Sequence, residues 1–192
     1  MQNEVNEPSQ KILLLSIEES IQAINANNIG RLREIISNLN ELAFLQESSL
    51  LVNFSSIFYS ISKFIEKDHI RNSPKWQSYK QSLIEKLNKS QACLKSNPIN
   101  LEVLDSISIE LISDCDEISE LLGRFHISTV EKAKVKIAAD FYARGSSLGV
   151  ASNLTGADKS DVLTYIGATR IVDKYMTISI NSRLKSAEEF FN

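Results

Sequence analysis

The chain is poor in the residues that punctuate a fold: six Gly and three Pro stand among 192 residues. Tight turns draw on those two residue types, so an all-β protein stitched together by many hairpins is disfavoured and helices become the expectation. Cysteine is equally scarce. Cys93 and Cys115 are too few for a disulfide framework, which fits a reducing compartment, and two histidines leave little material for a metal cage or a His-based catalytic network. Long apolar runs are missing as well. Ile12 to Leu15 is among the longest, far short of the roughly 20 residues of a membrane span, and it lacks the cationic flank of a signal peptide. The expectation is a cytoplasmic protein without membrane contact. What the chain does hold is an ordinary globular composition, 43% hydrophobic and 23% charged, enough for a real core. Its net charge of −3 hides an asymmetry: residues 1–123 carry 11 Lys and Arg against 17 Asp and Glu, while residues 124–192 carry 10 against 7. An acidic body joined to a modestly basic C-terminal part suggests different partners for the two.

Residues 1–10 are polar and broken by Pro8, and they read as a loose tail. From Ile12 to Ile24 the apolar residues recur every three or four positions, which predicts a helix over 11–26 that ends at Asn27, Asn28 and Gly30. The same spacing continues through Leu32, Ile35, Ile36, Leu39 and Ala43, and again through Leu50, Leu51, Phe54, Phe58, Ile61 and Phe64. Periodicity leaves open whether Gln46 to Ser49 is a capped turn or lies within one long helix. Ser73-Pro74 is a strong helix start, because the hydroxyl caps and proline at the first position has no N–H to leave unpaired. That helix stops at Ser96-Asn97-Pro98, and another runs from Leu101 to Gly123. Helices with short connections imply an antiparallel bundle over 11–123.

The texture changes after Gly123. Ser128-Thr129-Val130-Glu131 is a capping box that opens a helix over 129–144, and Gly145 ends it. Two brief helices follow, over 147–154 and 158–166, joined by a glycine-containing turn. A helix-turn-helix needs a small residue where its helices nearly touch, a glycine able to take positive φ in the turn, and an apolar residue pointing back from the second helix. Ser152, Gly156 and Val162 sit at that spacing. Ser152 is more usually alanine, and Ala157 is more usually a larger aliphatic. Residues 168–192 mix β-branched content around Ile171, Val172 and Ile178 with a helical pattern from Ser182.

The stretch from Lys136 to Gly167, with Tyr142, Gly145, the run Ala151-Ser152-Asn153-Leu154-Thr155-Gly156 and Tyr165-Ile166-Gly167, resembles the C-terminal segment of an uncharacterised archaeal family of predicted transcriptional regulators. The resemblance covers about 40 residues, with a looser likeness around Trp76, and it implies sequence-specific binding of double-stranded DNA. In such a complex the second helix lies in the major groove, with Lys159, Ser160 and Thr164 nearest the base edges. The expected phosphate contacts are Lys132, Lys134, Lys136 and Arg144 before the motif and Arg170 and Lys174 after it. Asp158 and Asp161 oppose phosphates, and the better reading of Asp158 is a helix cap, with Asp161 beside the positive end of the helix dipole.

Other residues carry less. Cys93, Cys115 and His126 lack the paired spacing of a zinc site. The acidic run Glu110, Asp114, Asp116, Glu117 and Glu120 lacks a calcium loop's glycine and reads as a solvated helix face. His69 has no recognisable nucleophile beside it. The stripe of Phe54, Phe58, Tyr59 and Phe64 reads as bundle core rather than a ligand pocket. The sequence therefore predicts an all-α protein: a tail over 1–10, an antiparallel helical bundle over 11–123 for dimerisation or partner contact, and a helix-turn-helix domain with a C-terminal extension over 124–192. The expected function is DNA-binding transcription regulation as a homodimer, with no cofactor and no enzymatic activity. The competing expectation is a protein-interaction adaptor or scaffold that uses the same helices without touching DNA.

Overall fold

A computed structural model describes residues 7–121 and 128–172, and the described residues are all-helical. They form nine helices: α1 (Glu7–Asn25), α2 (Ile29–Gln46), α3 (Ser49–Ile65), α4 (Asp68–Arg71), α5 (Pro74–Lys95), α6 (Leu101–Leu121), α7 (Thr129–Ala143), α8 (Leu148–Thr155) and α9 (Lys159–Thr169). Among them no helix is long and apolar enough to cross a membrane.

The third helix is the centre. It is apolar on nearly every side, as a helix surrounded by others must be. Leu51, Phe54, Ile57, Phe58, Ile61, Phe64 and Ile65 have no exposed surface, and α1, α2, α6, α7 and α8 all pack against it. Four buried serines share the helix with these large side chains. Ser60 donates its hydroxyl to the Ser56 carbonyl and Ser62 to the Tyr59 carbonyl, while Ser55 donates to Asn40 Oδ1 at 2.6 Å. Local acceptors of this kind let a hydroxyl be buried at little cost. At the far end of α3, Phe64, Trp76 and Tyr79 form an aromatic cluster with centroid separations of 5.5–6.2 Å. The phenylalanines of the aromatic stripe are thus core, whereas Tyr59 is only half-buried.

Local chemistry sets the ends. The stretch around Gln46 to Ser49 is a turn: Glu47 takes φ +49°, and Ser48 accepts from the Leu51 N–H to start α3. Ser73 caps α5 in the same way, accepting from the Trp76 N–H at 3.1 Å with Pro74 in the first turn. Residues 7–10, expected as part of a loose tail, are instead the start of α1. Proline costs no hydrogen bond in a first turn. Ser9 is buried and accepts from Gln46, and Gln10 donates to the Leu94 carbonyl at 2.7 Å. The remainder of that stretch, residues 122–127 with His126, and residues 173–192 with Lys174 lie outside the described residues.

The acidic run on α6 ties helices together. Lys86 of α5 pairs with Asp114 at 2.7 Å and Glu110 at 3.6 Å, and Asp116 accepts the hydroxyl proton of Ser128, the residue that caps α7. α7 then lies against both α3 and α6, and α8 and α9 pack on α7, with α8 reaching α3 as well. The buried core runs without a break from Leu13 on α1 to Val162 on α9.

Candidate nucleic-acid interface

The unit formed by α8 and α9 is built around its turn. Gly156 ends α8 with φ +71°, a left-handed conformation that a Cβ would strain. Thr155 closes the turn from inside: its buried hydroxyl donates to the Ala151 carbonyl at 2.8 Å and accepts from the Ala157 N–H at 3.2 Å. On either side of the turn, Ala151 and Val162 are fully buried and Ser152 nearly so. Leu148, Leu154, Tyr165 and Ile166 pack partly buried against the same core. The Ser152 hydroxyl has no hydrogen-bond partner among the described residues. Ser152 and Val162 are thus buried on either side of a left-handed Gly156, and Thr155 is a further tie within the turn.

Asp158 caps α9. It accepts from the Ser160 N–H at 2.7 Å, the Ser160 hydroxyl at 2.6 Å and the Asp161 N–H at 3.4 Å, and these donors, the Ser160 hydroxyl first, hold its carboxyl below the usual range. Asp158 is thereby a structural carboxylate, and Ser160 spends its hydroxyl proton on it. The helix continues past Gly167, where the sequence pattern placed an ending, to Thr169, and stops at Arg170 with φ +51°. Gly167 needs no unusual backbone, so Ala168 and Thr169 extend the helix by half a turn.

The expected DNA-contact residues divide by environment. Lys159, Ser160, Thr164 and Arg170 are exposed on or just after α9, and Lys132 is exposed near the start of α7. Lys134 is half-buried, with its Nζ 3.9 Å from where a Cβ on Gly156 would stand, so it reaches over the turn. Lys136 borders the groove beside α9 and sends its ammonium to α3. Its ammonium donates to the Tyr59 hydroxyl on α3 at 2.6 Å and lies 4.8 Å from that ring's centroid. Arg144 is also engaged: it pairs with Asp140 at 2.8 Å and stacks 5.6 Å from the Phe44 ring, which itself packs on Phe141. Both Lys136 and Arg144 join α7 to the helices beneath it. Sequence spacing places cations on a helix but does not show which aromatic ring of another helix they meet.

Two features escape the motif. Leu163 is half exposed on α9, on a different side from buried Val162. A groove of about 790 Å³ runs between α6, α7 and α9, with Val135, Ala157 and Tyr165 in its apolar wall and Lys134 and Asp161 among its charged groups. The signal for Leu163 was present in the helical wheel, since a neighbour of the buried position must point elsewhere.

No family model matches the chain, and no curated protein or solved structure matches it.

Proposed function

We propose that α7, α8 and α9 form a helix-turn-helix module, and that the chain is a DNA-binding transcriptional regulator which lays α9 in the major groove of duplex DNA. The observation that carries this reading is the turn: a left-handed Gly156 flanked by buried Ser152 and Val162, with the opposite side of α9 exposed. Such a turn fixes one helix against the core and leaves the next one free to enter a groove. The resemblance of residues 136–167 to archaeal regulators belongs to the same proposal.

In this reading, phosphates are held by Lys132, Lys134, Lys159 and Arg170, while Lys136 and Arg144 hold the module to the rest of the protein. Residues 128–172 carry six Lys and Arg against four Asp and Glu, so the electrostatic contribution is modest and the fit of α9 matters correspondingly more. The helices over 11–123 form the bundle, and the protein acts as a homodimer, because one module covers one half-site. Among the described residues of α1 to α6, exposed Ile12 and Leu15 on α1, Leu45 on α2, and Val103 and Ile109 on α6 are the large apolar residues available for that contact.

A second reading has its own support. The engagement of Lys136 and Arg144 and the largely apolar groove beside α9 both favour a protein partner, which is the adaptor reading. Titrating the labelled full chain with duplex DNA while following backbone amide resonances separates the two. DNA binding through the module predicts shifts centred on residues 156–170; shifts confined to α1–α5 would contradict a contact through α9, and no shifts at low salt would favour the adaptor.

A further inference from the structure

The solvent side of α9 is chemically unusual for a helix proposed to read bases. Helical spacing puts Ser160, Leu163, Thr164 and Gly167 on one strip away from buried Val162. None of these four is Arg, Lys, Asn or Gln, the side chains that bond guanine or adenine edges in bidentate fashion, and none is the Asp or Glu that accepts from cytosine. The exposed Lys159, one turn before Leu163, flanks the strip and is assigned to a phosphate in the proposed function. Ser160 donates its hydroxyl proton to Asp158 at 2.6 Å. Asp161 lies beside the strip, in the wall of the groove that α9 shares with α7, and Thr164 borders the same groove. What remains is the Leu163 side chain, 50% exposed, and the methyl and hydroxyl of Thr164. Gly167 keeps the strip low, because a Cβ there would meet nothing within 4 Å, so another surface can approach the helix closely at that point.

Apolar side chains have one specific partner in the major groove, the C5 methyl of thymine. We infer that Leu163, together with the Thr164 methyl, reads thymine methyl groups, so that the preferred duplex is specified by the placement of thymines rather than by guanine contacts. This rests on the DNA-binding reading and assigns Leu163 as its specificity-determining residue. Burying a leucine that is otherwise half in water supplies the driving force, and a missing methyl withdraws it.

The test uses the full chain. Duplexes enriched by the wild-type protein from a random double-stranded pool are resynthesised with deoxyuridine in place of thymidine, which removes the methyl and preserves pairing. The wild type should lose about fourfold in affinity for each contacted methyl. Leu163→Ala, a change at an exposed site, should fold normally and bind the two duplexes nearly alike. Equal binding of both duplexes by the wild type would overturn the inference, and so would undiminished discrimination by Leu163→Ala. Failure of the wild type to enrich any duplex at low salt is a different result, which removes the DNA-binding reading and this inference with it.

Discussion

Ser152 and Val162 are neighbours in function and opposites in what truncation should do. Val162 is fully buried, so Val162→Ala should cost about 1–2 kcal/mol through lost burial and incomplete collapse. Ser152→Ala should instead raise stability by about 1 kcal/mol, since it deletes a buried hydroxyl with no partner among the described residues. Chemical denaturation of the two variants checks both signs. Cys115 supplies a pH test. Burial pushes its thiol up to about 12 from an ordinary 9.0, and burial likewise raises the Tyr79 phenol that it meets at 3.1 Å. Both groups are neutral when protonated, so the stability they contribute is complete below about pH 9 and is lost as the pH rises toward 12. The melting temperature should therefore fall steeply above about pH 9, and less steeply in Cys115→Ala. Much at this scale was legible in the sequence. Asp158 read as a cap because Asp followed by a helix start has a local partner in its own backbone. The contacts of Lys136 with Tyr59 and of Arg144 with Phe44 are not legible in the sequence, because those rings lie 77 and 100 positions away along the chain and no local rule connects them.

At the scale of elements, periodicity located the helices well and their ends less well. A 3.6-residue stripe reports which face is buried, and α3, α5 and α6 needed nothing more. Ends depend on single contacts. The start of α1 moved outward because Ser9 and Gln10 bond to α2 and α5, and the end of α9 moved past Gly167 because a glycine can remain helical. The short α4 lies among the charged residues Glu66, Lys67, Asp68 and Arg71, and only buried Ile70 betrays it. α7 is the element on which both readings of function depend. Its cap, Ser128, accepts from the Val130 and Glu131 N–H groups and donates to Asp116. Ser128→Ala should lower stability by about 1–2 kcal/mol, since it removes a cap and a partner of Asp116 together. Thermal unfolding of that variant, beside a Glu131→Gln control that leaves the serine in place, isolates the cap.

For the whole molecule, the continuity of the core is the main consequence. Phe141 on α7 and Val162 on α9 belong to the same buried cluster as Leu13, Phe54 and Trp76, so α7 to α9 are packed onto the helices before them rather than tethered to them. Unfolding should proceed in one cooperative transition, and two separate calorimetric peaks would contradict a shared core. This was not legible in the sequence, where the change of texture near Gly123 reads as a boundary. Periodicity shows that a helix has a buried face but not what covers it. The same packing sorts the cations, and that sorting tests the account most directly. The measurement is the salt dependence of duplex DNA binding by the full chain and by three variants, Lys159→Ala, Lys136→Ala and Arg144→Ala. Affinity should fall with salt, Lys159→Ala should reduce the slope by about one with stability unchanged, and Lys136→Ala and Arg144→Ala should lower stability with the slope intact. A slope that ignores Lys159, or no binding at all at low salt, would contradict the account.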